Sequence, residues 1–217
     1  MAAYAGGMTH GPPAPARRRG RPRGGASDAR ERILAAGASE FAEHGYDGAT
    51  MRAIAERAGV DSALVHHYFG TKSELFAAAV DIPANPARLV PQALEGDPAD
   101  AGARLVRLIV TTWDSPTFRP RGVALLRGVI GNRRTSSMLM GFISREVLHR
   151  IRERIGGDDA PRRAGLLASQ VIGLIVARYV VELEPLASAS VDDVVRDVGP
   201  TLQRYLTGDL DEASPGA

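Results

Sequence analysis

The feature that most constrains this chain is a glycine set between two short apolar stripes, in the stretch Thr50 to Lys72, TMRAIAERAGVDSALVHHYFGTK. Ile54, Ala55 and Ala58 recur at helical spacing, Gly59 supplies the backbone freedom of a sharp turn, and Val60, Val65 and Tyr68 resume the buried face. Ala55 suits the point where two helices cross steeply beside Gly59 and leave room for only a small side chain. Two helices hinged in this way have the geometry of a helix-turn-helix, whose second helix lies in the DNA major groove.

Start and stop signals bracket these helices. A first helix is expected from Ser27 or Asp28, with capping-box spacing at Asp28-Ala29-Arg30-Glu31, an apolar stripe of Ile33, Leu34, Ala38, Phe41 and Ala42, and an end near Gly45. Thr50 can cap the second helix and turn its positive end toward a phosphate. Asp61 can cap the third. Thr71-Lys72-Ser73-Glu74 forms a capping box that places Lys72 in the first turn of a fourth helix.

With 217 residues the chain has room for one such module and a larger helical domain. It carries a formal charge of +2 and no cysteine, so disulfides and thiolate metal sites are excluded, in keeping with a reducing cytoplasm. Lys72 is the only lysine, and the prevalence of arginine reads as a genomic composition bias. The longest apolar run, Val171 to Val181, is interrupted by Arg178 and is shorter than the roughly 20 residues a bilayer span needs, so no membrane association is expected. Residues 1–26 are rich in Gly, Pro, Ala and Arg and read as a disordered basic arm. Arg19-Gly20-Arg21-Pro22 resembles an AT-hook core that slides arginines into a narrow minor groove; a solvated tail that tethers the protein to phosphates accounts for the same residues.

Beyond Pro83, Pro86 and Pro91 the pattern is helical throughout, with no strand and no repeat. Leu105, Leu108, Ile109 and Thr112 form a stripe ending near Trp113. Pro116 to Pro120 breaks the chain before helices over 122–132 and 135–155, and Gly156-Gly157-Asp158 turns it into helices over 160–183 and 191–206, the last kinked or broken at Pro200 and ended by Gly208. Trp113, Phe118, Leu126, Met138, Phe142 and Tyr179 point inward among the middle helices, as the lining of a ligand cavity or as plain core. No G-x-S-x-G, H-E-x-x-H or G-x-x-x-x-G-K-S pattern occurs, so catalytic machinery is absent from the motifs. Glu146, His149 and Glu153 share a helical face, but charge pairs with Arg150 and Arg154 explain them better than a metal does. No cofactor or metal is implied.

Thr50, Ile54, Ala55, Ala58, Gly59 and Val60, followed by Tyr68-Phe69 and by Lys72-Ser73-Glu74-Leu75-Phe76, resemble the TetR family of bacterial regulators, whose pattern is T-x-x-x-I-A-x-x-A-G-V, an aromatic pair, then K-x-x-L-F. Ile33, Leu34, Phe41 and Gly45-Tyr46 match that family's first helix and its exit. The specific resemblance covers Ser27 to Val80; beyond it the likeness is architectural. It implies an all-α protein with an N-terminal three-helix helix-turn-helix DNA-binding domain at 27–80, including a linking helix at 71–80. A C-terminal helical effector-binding and dimerisation domain at 81–208 and a flexible tail at 209–217 complete it.

Residue by residue, the resemblance assigns Ser62, Ala63, His66 and His67 to the base-facing side of the recognition helix and Lys72 to a phosphate. Thr50, Arg52 and Tyr68 join that DNA face. Leu64 departs from the family, which places Thr or Ser there for a backbone contact. Leu167, Val171, Leu174 and Arg178, with Val194 and Leu202, are the corresponding candidates for a two-fold four-helix interface. The function implied is that of a cytoplasmic homodimer that binds a palindromic double-stranded operator and is released by a small-molecule effector acting through the fourth helix. The alternative is a ligand-independent or protein-controlled regulator, even an activator, whose C-terminal domain only dimerises.

Overall fold

The computed structural model describes residues 26–210, and every regular element among them is helical. The expected basic arm with Arg19 and Arg21, and the expected tail past Leu210, lie outside the described residues.

Four helices build the N-terminal part: α1 (Ala26–Gly48), α2 (Met51–Ala58), α3 (Ser62–Phe69) and α4 (Lys72–Ala79). Gly45, with φ 73° and ψ 178°, interrupts α1, so the expected stop appears as a kink followed by a last turn to Gly48. The buried stripe Ile33, Ala36, Glu40 and Phe41 rests on α2 and α4, while α3 leans on α2 through Val65 and Phe69. Arg30 lies 5.3 Å from the Phe69 ring centre and ties α1 to α3.

The C-terminal part holds one helix that the sequence pattern did not suggest, α5 (Pro86–Ala93). In the sequence its prolines read as punctuation. Pro86 occupies the first turn, where no amide donor is required, and Asn85 Oδ1 caps the helix by accepting from the Ala87 amide at 3.0 Å. Pro91 cannot donate to the carbonyl of Ala87, four residues back, and Arg150 Nη1 donates to that oxygen instead, at 2.7 Å. Arg104 Nε and Arg154 Nη2 serve the Ala93 and Leu94 carbonyls at 3.0 and 3.2 Å, at the negative end of the helix.

There follow α6 (Ala101–Asp114), α7 (Arg119–Gly131) and α8 (Arg133–Ile143). α8 continues through one wide π turn, Ser144–Leu148, into α9 (His149–Ile155). After a turn in which Gly156 and Gly157 both have positive φ, α10 (Ala160–Ile175) runs on through a second π turn, Val176–Val180, and α11 (Val191–Thr207) ends the described fold. Pro200 does not break α11: it stands on the exposed face, where the released carbonyl can meet water.

α6 and α11 form the most extensive helix pair. They approach so closely that a Cβ added to Gly102 would lie 2.5 Å from the Gly199 carbonyl oxygen and from the Gln203 amide nitrogen. Gln203 Oε1 accepts from the Gly102 amide at 2.8 Å, which fixes the register of the pair. Gly102→Ala therefore forces two backbones apart. We expect it to cost about 1–3 kcal/mol in denaturant unfolding, and an unchanged midpoint would contradict the backbone contact.

Candidate nucleic-acid interface

The reading head is assembled by local capping. Thr50 adopts extended backbone and its Oγ1 accepts from the Ala53 amide at 3.0 Å, leaving the start of α2 exposed. Gly59 (φ 65°, ψ 41°) ends that helix in the left-handed region, and the Val60 amide reaches back to the Ala55 carbonyl at 3.0 Å. Arg32 Nη1 donates to the Ala58 carbonyl at 3.0 Å, so α1 holds the turn from outside. Asp61 Oδ1 then caps α3 through the Ala63 amide at 2.7 Å, and Thr71 Oγ1 caps α4 through the Glu74 amide at 3.1 Å.

On α3 the buried residues are Val65 and Phe69, and the exposed ones are Ala63, His66 and His67. Ser62, Leu64 and Tyr68 are half-buried along the edges. Thr50 is exposed near this face, and so is Arg52, which pairs with Glu56 one turn along α2 at 3.0 Å. Lys72 is less free than expected. Its Nζ donates to the Asp47 carbonyl at 3.3 Å and stands 4.6 Å from the Tyr46 ring centre. Burial pushes its pKa below the ordinary lysine value, with Asp47 and Glu146 opposing the shift.

Two connections around this head were not visible in the motif. Arg57 grips Glu43 with both terminal nitrogens, at 2.7 and 2.6 Å, and lies 3.1 Å from Glu40, which clamps α2 to α1. That hydrogen bonding holds the Glu43 carboxyl below its usual range and raises Arg57 in return. Glu40, Glu43 and His44 bring ligand-type atoms within 4.8 Å of one another, but the guanidinium already neutralises the carboxylates.

The second connection joins the two halves of the chain. Phe142 of α8, fully buried, sits 4.7 Å from Phe76 and 5.2 Å from Tyr46, ring centre to ring centre. Tyr46 Oη donates to Glu146 Oε1 at 2.6 Å, and Arg145 pairs with Asp47 at 3.5 Å. Of the two expectations for Phe142, cavity lining or plain core, its packing fits the second, in the shared core of α1, α4 and α8, and Met138, one turn earlier on the same face, is buried with it. Helical spacing marks both as inward-facing without saying which interior receives them.

Of the other expected lining residues, Trp113, Phe118 and Tyr179 do meet. Trp113 is 5.0 Å from Phe118 and 5.4 Å from Tyr179, and Leu126 is half-buried on α7. Gly122 lies directly against this group: a Cβ added there would come within 2.8 Å of Phe118 and 2.9 Å of Trp113.

The expected self-association stripe also needs correction. Leu167, Leu174, Arg178, Val194 and Leu202 are all buried by the chain's own helices, and Val171 is half-buried. Arg178 donates to the Leu186 carbonyl, to the Ala189 carbonyl at 2.9 Å and to Tyr179 Oη at 3.1 Å, fastening the segment that follows α10. The outward side of the same helix carries Gly165, Ser169, Ile172 and Gly173, with Val181 and Leu183 beyond its end. Ala160–Val180 is long and apolar enough to cross a membrane by length and composition; its apolar surface divides between the core and this outward stripe.

Tyr46→Phe removes the bond to Glu146 and should cost about 1–2 kcal/mol in unfolding, while Gly102-type backbone strain is absent; an unaltered stability would show that the bond contributes nothing. Burial pushes the Tyr179 phenol up to about 12, with Arg178 opposing and Asp114 adding to the shift. An unfolded tyrosine loses its proton near 10, so this stabilisation is complete below about pH 10 and lost as pH rises through about 12. Unfolding midpoints should fall with pH across that window, less steeply in Tyr179→Phe than in the native chain.

Comparison with known proteins agrees with this geometry. Residues 33–79 match the model of bacterial regulatory proteins of the tetR family, and residues 99–206 match that of the tetracyclin repressor-like C-terminal domain. A solved TetR-family regulator from Streptomyces coelicolor is 37% identical, covers 86% of this chain and 99% of its own, and superposes with a TM-score of 0.52. The HTH-type transcriptional regulator BetI of Agrobacterium fabrum is 28% identical over 183 residues, 77% of this chain and 84% of that protein. The HTH-type transcriptional repressor AcnR of Corynebacterium efficiens is 43% identical over 51 residues, 24% of this chain and 27% of that one. With both halves matched and the reading head exposed on its capped helices, the chain belongs to the TetR family of helix-turn-helix, DNA-binding transcriptional regulators.

Proposed function

We propose that the protein is a homodimeric repressor that occupies a near-palindromic operator, with residues 27–80 reading DNA and 81–208 dimerising and receiving an effector. The observation that carries the reading is the exposed face of α3, Ala63, His66 and His67, flanked by the capped starts of α2 and α4. Ala63 suits a thymine methyl and Ser62 either base type. Arg52, Tyr68, Thr50 and Lys72 border the face toward the phosphates, and Arg19 and Arg21 would extend it into the minor groove. Such a protein acts on the chromosome, in the cytoplasm.

For self-association the favoured surface is the outward stripe of α10. Ile172 is 49% exposed, Val181 63% and Leu183 55%, and the small residues Gly165, Ser169 and Gly173 beside them permit close helix approach. A second copy packed there would set two α3 helices in successive major grooves, roughly 34–36 Å apart.

Release by a small molecule would work through the Tyr46–Glu146 and Phe76–Phe142 contacts, since moving α8 moves both α1 and α4. In the second reading the C-terminal helices only dimerise; the close approach of Trp113 and Phe118 to Gly122 is what supports it. Two clefts lie elsewhere, one of about 370 Å³ beside Val129, Ile130, Arg133 and Ser136, the other of about 220 Å³ beside Leu94, Arg154 and Leu206.

Selection from random duplexes should return an inverted repeat bound by two copies. Ile172→Arg should give a monomer with at least about tenfold weaker operator binding, and Lys72→Ala should lower the salt slope by about one unit. A native protein that sediments as a monomer with and without DNA, or that shows no sequence preference, overturns the proposal. Displacement of the operator by members of a metabolite library separates the effector-controlled form from the ligand-independent one.

A further inference from the structure

His66 is tied twice to the residue that ends its helix. The Gly70 amide donates to the His66 carbonyl at 2.8 Å, and the His66 ring nitrogen Nδ1 lies 3.0 Å from the Gly70 carbonyl oxygen. A carbonyl can only accept, so Nδ1 carries the proton in this bond, and the neutral ring is left with a bare Nε2. Gly70, at φ 66° and ψ −70°, turns its carbonyl back along the helix, a conformation that L side chains rarely adopt. The ring is held in one orientation on the exposed face of α3, and its outward nitrogen is a hydrogen-bond acceptor.

In the major groove the phosphates, guanine N7 and O6, adenine N7 and thymine O4 are all acceptors. Only the exocyclic amines, adenine N6 and cytosine N4, are donors. The geometry points to His66 as a specificity-determining residue that reads an exocyclic amine of adenine or cytosine, its polarity set by the Gly70 carbonyl. Arginine or lysine at this position would read acceptors, and serine would read both kinds. The inference deepens the operator-binding reading proposed above and rests on it: Ser62 and Ala63 discriminate weakly, whereas a ring of fixed polarity discriminates by sign.

Two measurements on the full chain test it. Nitrogen-15 NMR of the free protein, in buffer of about pH 8.5 that keeps imidazoles neutral, should show His66 protonated at Nδ1; protonation at Nε2 overturns the inference without touching the DNA-binding reading. Operators are then selected with the native chain and with His66→Ala, and the base pair whose preference the variant loses is rebuilt with analogues. Deleting the amine, by purine for adenine or 2-pyrimidinone for cytosine, should weaken native binding about threefold to tenfold beyond the loss seen in His66→Ala. Deleting purine N7 with a 7-deaza base should affect both proteins alike. Equal amine effects in the two proteins, a 7-deaza effect confined to the native chain, or no position relaxed in the variant each overturn the assignment while leaving operator binding intact. A native chain that selects no sequence removes the parent reading and this inference together.

Discussion

The Phe142 ring, packed against both Tyr46 and Phe76, is the contact on which the rest of the structure depends. Helices of eight residues, such as α2, α3 and α4, are too short to hold together by backbone hydrogen bonds alone and need a shared apolar core. Phe41, Tyr46 and Phe76 supply most of its aromatic surface, and α8 supplies the remaining ring from the other half of the chain. The reading head is therefore seated on the C-terminal helices instead of hanging from α4. Tyr46 Oη on Glu146 and Asp47 on Arg145 add polar bonds at the rim of the same junction, the first half-buried and the second exposed.

Arginine has a structural part here that composition alone could not disclose. Arg150 and Arg104 each donate to a carbonyl of α5, including the one that Pro91 leaves unpaired, and Arg154 donates to that of its cap residue Leu94. Arg178 binds two carbonyls of the segment after α10, and Arg32 one at the helix-turn-helix turn. A guanidinium presents several fixed donors and stays charged, so one side chain can satisfy widely spaced carbonyls that a lysine would reach singly. What looks like a genomic bias in a count of residues becomes a set of clamps once the chain is folded.

The parts of the site that depend on neighbours in sequence were legible. Thr50, Asp61 and Thr71 cap the helices they were expected to cap, and Gly59 takes the left-handed conformation at the turn, because these bonds span two or three residues. The family match over the helix-turn-helix follows from the same local rules. Assignments that depend on what lies across an interface stayed open in the sequence. Phe142 and Met138 entered a core shared with the first helix, and Leu167, Leu174, Arg178, Val194 and Leu202 turned inward where an outward stripe was expected. The helix α5 was missed because a guanidinium from a residue 59 positions beyond Pro91 makes its proline tolerable, counting from Pro91 to Arg150.

By itself the sequence determined the helical class, the hinge at Gly59, the capped starts of α2, α3 and α4, and the side of α3 that carries His66. Each of these is decided by steric and hydrogen-bond preferences acting within about one helical turn. Only the tertiary structure decided which apolar face of α10 is covered, where Phe142 goes and how Lys72 is engaged. Apolar periodicity records that a face avoids water, which any interior satisfies equally well. The choice among interiors is made by long-range shape and by the pairing of buried polar groups.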